Sequence, residues 1–184
     1  MRSSIHPRFS STILGAALAL PLAITACSEG QVEPEPDVDD DLPYDCGEGF
    51  CVLTGTITES LTLTADTEWV LRGGVFIGND VDETVLTIEP GTTIYGETST
   101  KGFLTITRGS KIMAEGTSDA PIVFTSSKEI GQRARGDWGG LIINGRAPVN
   151  GCDEGPCESF GEGGTGYYGG GISDDDSGVL KFVR

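Results

Sequence analysis

Histidine is nearly absent from this chain: His6 is the single one, and it lies in a stretch that reads as a removable export signal. Everything after that stretch therefore lacks Ser-His-Asp and Cys-His catalysis, and lacks any histidine metal site. Basic residues are also scarce, 12 Lys and Arg against 28 Asp and Glu, for a net charge of −16. Removing Arg2 and Arg8 with the signal leaves 10 basic against 28 acidic residues, a net charge of −18. Such a field repels polyanions, so nucleic acid is excluded as a partner. Arg133, Arg135 and Arg146 are the candidates for a local basic patch, although Arg residues flanking a repeat read first as solvated edges. Long apolar runs are missing too. The stretch from Ile13 to Ile24 is too short to cross a bilayer as a permanent helix, and no amphipathic helical pattern follows it.

What is present at the N-terminus is ordered like a signal peptide: Arg2 and Arg8, then the apolar run, then small residues. Ile24-Thr25-Ala26-Cys27 resembles the lipobox of bacterial lipoproteins. The resemblance implies that residues 1–26 are removed and that Cys27 carries acyl chains, which hold the protein at a membrane without a spanning helix. Ser28 in place of aspartate favours the outer membrane or cell surface. From Ser28 to Asp45 the sequence SEGQVEPEPDVDDDLPYD has eight carboxylates and three prolines, an extended acidic tether. Residues 27–51 thus form a lipidated tether ending in a short disulfide loop.

Cys46, Cys51, Cys152 and Cys157 make two C-x4-C pairs. In an exported chain they favour local disulfides, 46 to 51 and 152 to 157, over crossed pairings. A four-thiolate metal site is the rival, but its usual C-x2-C knuckles are missing.

After Cys51 the chain alternates with period two in short runs rich in Thr, Val, Ile and Leu, broken by Gly, Pro, Asp and Asn. Five segments superimpose: WVLRGGVFI at 69–77, LTIEPGTTI at 86–94, LTITRGSKI at 104–112, IVFTSS at 122–127 and LIINGRAPV at 141–149. Their first residues, Trp69, Leu86, Leu104, Ile122 and Leu141, step by about 18, the mark of a stacked repeat. Leu86, Ile88 and Ile94 should point inward, with Leu104, Ile106 and Ile112 above them one repeat later. Gly91 and Gly109 recur where a corner needs a conformation that a Cβ penalises.

LTIEPGTTIYG, LTITRGSKIMAEGTSDAPIVFTSS and GDWGGLIINGRAPVNG resemble a group of bacterial surface lipoproteins with a right-handed parallel β-helix of the pectin-lyase-like type. GEGGTGYYGGGISDDDSGVLKFVR resembles the segment that follows in that group. The resemblance implies an all-β solenoid with three short parallel strands per coil: β-helix coils over 52–149, a Gly/Asp-rich disulfide-containing loop over 150–178, and the start of a further coil over 179–184. Because a β-helix needs its open end covered, the sequence reads as the N-terminal part of a longer protein, or as one whose cap another chain supplies.

Few residues offer chemistry. Asp80 and Asp82, and the run Asp174, Asp175 and Asp176, are candidate calcium ligands, with solvated loops as the plainer reading. Trp138, beside Gly139 and Gly140, either presents a flat face to a sugar or packs over a coil. The Gly-rich run 161–171 lacks the lysine and helix of a phosphate loop. No catalytic residue is assigned. The expected function is a non-catalytic cell-envelope lipoprotein presenting its β-helix for adhesion, glycan binding or envelope structure. Its expected partners are the membrane and a polysaccharide or envelope protein, with calcium as the one candidate cofactor. The alternative is a polysaccharide-active lyase or hydrolase with catalytic coils beyond Arg184.

Overall fold

The computed structural model describes residues 44–150 and 157–184. The expected signal peptide, Cys27, most of the expected tether and Cys152 lie outside the described residues. The fold is all-β, with one short 3-10 turn at Glu162–Gly164. Among the described residues no helix is long and apolar enough to cross a membrane.

The strands are β1 (Tyr44–Gly47), β2 (Phe50–Ile57), β3 (Leu61–Leu63), β4 (Glu68–Ile77), β5 (Val85–Ile88), β6 (Thr93–Gly96), β7 (Phe103–Ile106), β8 (Lys111–Glu115), β9 (Val123–Ser126), β10 (Gly140–Ile143), β11 (Cys157–Phe160), β12 (Tyr167–Gly170) and β13 (Gly178–Lys181). β2 and β4 each bend in the middle, so each serves two parallel ladders. Ladder I joins the first halves of β2 and β4 to β6 and β9. Ladder II joins their second halves to β7 and β10. Ladder III joins β3, β5, β8 and β13. The chain visits I, II and III in that order four times.

Period-two alternation turns one side of each ladder inward, which stacks apolar side chains in columns. Cys51, Trp69, Ile94 and Phe124 align in ladder I. Val75, Leu104 and Leu141 align in ladder II, as do Leu61, Leu86 and Ile112 in ladder III. Ile57, Leu86, Ile94, Leu104 and Ile106 are fully buried, each contributing roughly 1.5–3 kcal/mol of transfer free energy.

The repeat step differs from the expectation. The partner of Trp69 one coil on is Ile94, and that of Ile94 is Phe124, so a circuit takes about 25 to 30 residues. Leu86 stands under Ile112, not under Leu104. Trp69, Leu86 and Leu104 lie in ladders I, III and II respectively, so the step of about 18 advances two strands of three. The motif it detects is strand, glycine corner, strand, and all three corners share it. Gly73 turns from I to II (φ 64), Gly109 from II to III (φ 78) and Gly91 from III to I (φ 90).

The disulfide loop expected to end the tether belongs to the fold. β1 pairs antiparallel with the start of β2, setting Cys46 opposite Cys51, and the two are bonded. Tyr44 packs edge-on against Trp69, centroids 5.5 Å apart, so the hairpin covers the first coil. The excursion between β10 and β13 carries a second antiparallel hairpin, β11 with β12. Cys157, at its start, is disulfide-bonded.

Candidate functional site

Outward positions of ladder I bring Val70 beside Tyr95 in register, with Glu68 one residue before Trp69. The segment after β9 folds back over them. Together Glu68, Val70, Tyr95, Lys128, Glu129, Ile130 and Arg133 line a groove of 350 Å³.

That wall is pinned from beneath by Asp137, only 5% exposed. Its carboxylate accepts hydrogen bonds from Lys128 Nζ (2.7 Å), Ser126 Oγ (2.9 Å) and the Ala134 amide (2.8 Å). These donors, Lys128 foremost, hold the Asp137 pKa down to about 2. Arg133 donates to the Lys128 carbonyl (2.8 Å) and to Thr125 Oγ1 (3.2 Å), which sets its guanidinium 5.7 Å from the centre of the Tyr95 ring. Tyr95, Lys128 and Arg133 form a constellation that the sequence reading did not assemble; an outward aromatic amid Thr and Val was its only signal.

Trp138 stacks on Phe124, nearly parallel at 6° and 6.2 Å between centroids, and its side chain fills the space over Gly96. Of its two expected roles, packing over a coil is the one observed: one ring face is committed to Phe124 instead of standing free for a sugar.

Four of the acidic candidates accept hydrogen bonds from neighbouring residues, and Asp80 is paired with a cation. Both oxygens of Asp80 are bound by Arg108, through its amide (3.0 Å), Nε (3.1 Å) and Nη2 (3.0 Å). Asp82 accepts from Asn79 Nδ2 (3.3 Å). Asp175 accepts from the Arg146 amide (2.8 Å), and Asp176 from the Gly178 amide (2.9 Å). Asp174, Asp175 and Asp176 share a 280 Å³ depression with Glu83, Lys111 and Arg146. Among the described residues no three His, Cys, Asp or Glu side chains converge on a metal-sized point. The two acidic runs therefore do not assemble the calcium cage considered for them. Arg133 lies in the segment after β9, over Tyr95, whereas Arg146 follows β10 and donates to the Asp80 and Arg108 carbonyls, so these two have different surroundings.

Arg108 makes several contacts at once. Besides Asp80 it reaches Glu158 (2.6 Å) and the Gly169 carbonyl (3.2 Å), and it lies 5.7 Å from the Tyr167 ring centre. Burial opposes its charge, but the bonds to Glu158 and Asp80 outweigh that and raise its pKa. It thereby fastens the β11/β12 hairpin to the corner between ladders II and III.

The remaining displaced carboxyl groups move in the same direction as Asp137. Hydrogen bonds from Thr64 and Thr67 lower Asp66. Thr100, and secondarily Arg72, lower Glu97. A general acid needs the opposite shift.

Residues 55–184 match the family model of a pectate-lyase-like β-helix domain. No curated protein and no solved structure matches the chain.

Proposed function

This chain belongs to the family of pectate-lyase-like β-helix domains, and we propose that it acts as a non-catalytic cell-envelope lipoprotein whose right-handed β-helix presents a rigid surface to glycan. Acyl chains on Cys27 hold it at the outer membrane, and the acidic segment 28–43 lifts the domain into reach of an extended partner. The observation that carries this reading is the groove on ladder I. Tyr95, with the Arg133 guanidinium over its ring, and Glu68 offer aromatic and polar groups side by side, and Asp137 holds the wall in place before any ligand arrives, so little ordering cost falls on binding.

Support for a binding role over a catalytic one comes from the carboxyl groups. Glycoside hydrolysis needs one carboxyl kept protonated and a second opposite it. Asp137, the buried acid behind the groove wall, is held ionised and is saturated by three donors, so it is not the protonated member of such a pair.

A second reading, a polysaccharide-active lyase or hydrolase, is compatible with the family, because one fold hosts many activities.

Incubating the membrane-extracted protein with a panel of polysaccharides, with and without calcium, separates the two readings. Retention of a polysaccharide without shortening it, lost in Tyr95→Ala, is the expected result. Release of new reducing or unsaturated ends by residues 27–184 would overturn the binding role.

A further inference from the structure

The groove on ladder I is lined by four charged side chains, Glu68, Lys128, Glu129 and Arg133, beside Val70, Tyr95 and Ile130. Which of those charges can meet a ligand depends on what each already holds. Lys128 is spent: its ammonium donates to the buried Asp137 carboxylate at 2.7 Å, so the two opposite charges largely cancel at the distance of the groove. Arg133 keeps its charge but is tied down. Its Nε donates to the Lys128 carbonyl and its Nη1 to Thr125 Oγ1, and the guanidinium lies over the Tyr95 ring.

The two carboxylates are committed far less. Glu129 is exposed, and its side chain makes no hydrogen bond or ion pair among the described residues. Glu68, also exposed, accepts a single long hydrogen bond from the Tyr95 hydroxyl, at 3.4 Å. Glu68 opens β4, whereas Glu129 lies in the segment that folds back after β9, so sheet and wall each contribute one. With Lys128 and Asp137 cancelled, two carboxylates face one guanidinium, on a chain of net charge −16.

That balance selects among sugars. A carboxylate only accepts hydrogen bonds, and its strongest partners are N–H donors that carry positive charge. A uronic acid would bring further negative charge to a groove that already has an excess of it. A plain hydroxylated sugar would donate but leave the charge uncompensated. An amino sugar supplies both the donors and the compensating charge. The apolar edge of its ring is provided for as well, because Ile130, 87% exposed, and Val70 line the same groove.

We propose that the glycan of this groove carries free amino groups, and that Glu68 and Glu129 accept the hydrogen bonds of its ammonium groups. The inference rests on the glycan-binding reading above, and its test separates the two. The full-length native protein, extracted in an uncharged detergent, is titrated calorimetrically with chitosan hexasaccharide, its fully N-acetylated counterpart and hexagalacturonate. The titrations are run at about pH 6, where glutamates are ionised and sugar amines protonated. Chitosan hexasaccharide is expected to bind about tenfold tighter than the acetylated form, and Glu68→Gln and Glu129→Gln should each weaken it about fivefold, the scale of one part-exposed ion pair. Glu59→Gln, exposed between β2 and β3, removes the same charge away from the groove and should change binding by less than about twofold. The proposal is overturned if none of the three saccharides binds, if the acetylated form or hexagalacturonate binds as tightly as chitosan, or if neither groove variant weakens chitosan. It is equally overturned if Glu59→Gln weakens binding as much as Glu68→Gln, because the attraction would then belong to the acidic excess as a whole. Polysaccharide retention that is lost in Tyr95→Ala but indifferent to amino groups would leave the first reading standing and remove this one. No saccharide bound and no polysaccharide retained would remove both.

Discussion

Asp137 is where a single side chain decides the shape of a surface. Three donors from Ser126, Lys128 and Ala134 converge on it, and each belongs to the segment that walls the groove. With a folded pKa near 2 against an ordinary 3.8, its ionised form stabilises the fold in full above about 3.8. That contribution is lost as pH falls through about 2, because the unfolded state then binds the proton no more readily than the folded one. Acid titrations of wild type and Asp137→Asn, followed by the fluorescence of neighbouring Trp138, should therefore differ most above pH 4 and converge toward pH 2. Curves that stay equally separated at all pH values would contradict this role. Leu104 makes a simpler case. It is fully buried between Val75 and Leu141, and truncation to alanine should cost 2–5 kcal/mol in chemical denaturation, with a roughly additive effect from distant core sites.

At the scale of elements, the corners govern. Gly73 has φ 64 with nothing within 4 Å of the position a Cβ would take, so only backbone conformation excludes a side chain there. Gly73→Ala should cost about 1–2 kcal/mol, measured by the denaturation midpoint, and an asparagine there should cost less. The β1/β2 hairpin makes a second prediction. Its disulfide closes a loop between residues only five apart in sequence, for which chain entropy gives about 2 kcal/mol. The Cys46→Ser, Cys51→Ser double variant should lose stability by that order and expose Tyr44 and Trp69, visible as a change in tryptophan emission. The corners also explain what the sequence concealed. Strand and glycine turn recur at every corner, so self-comparison finds the strand step and misses the circuit. Which residues stack is set by hydrogen-bonded register, where Leu86 meets Ile112.

For the whole molecule, anchoring and binding are separable. If Cys27 carries the acyl chains, Cys27→Ser should move the protein from the detergent phase to the aqueous phase in a two-phase extraction, while its affinity for polysaccharide stays within twofold. Persistence in the detergent phase would mean that another part of the chain holds the membrane. The excess of acidic residues acts at this scale as well, favouring neutral or cationic partners and making encounter with polyanions sensitive to salt.

The all-β class, the inward set Leu86, Ile88, Ile94, Leu104, Ile106 and Ile112, the glycine corners and the Cys46–Cys51 pairing were all legible in the sequence, because each follows from alternation, turn chemistry or spacing within a few residues. The candidate sites were not. Tyr95 meets Arg133 and Asp80 meets Arg108 only after coils stack, so the relevant neighbours are tens of residues apart. Trp138 shows the difference most directly: composition allows a tryptophan beside two glycines to serve a sugar or a core, and the register that places Phe124 and Gly96 against it decided for the core. Local sequence determines strands and turns because their forces act between near neighbours. Only the tertiary structure decides which strand lies on which, because that choice depends on burying every column at once.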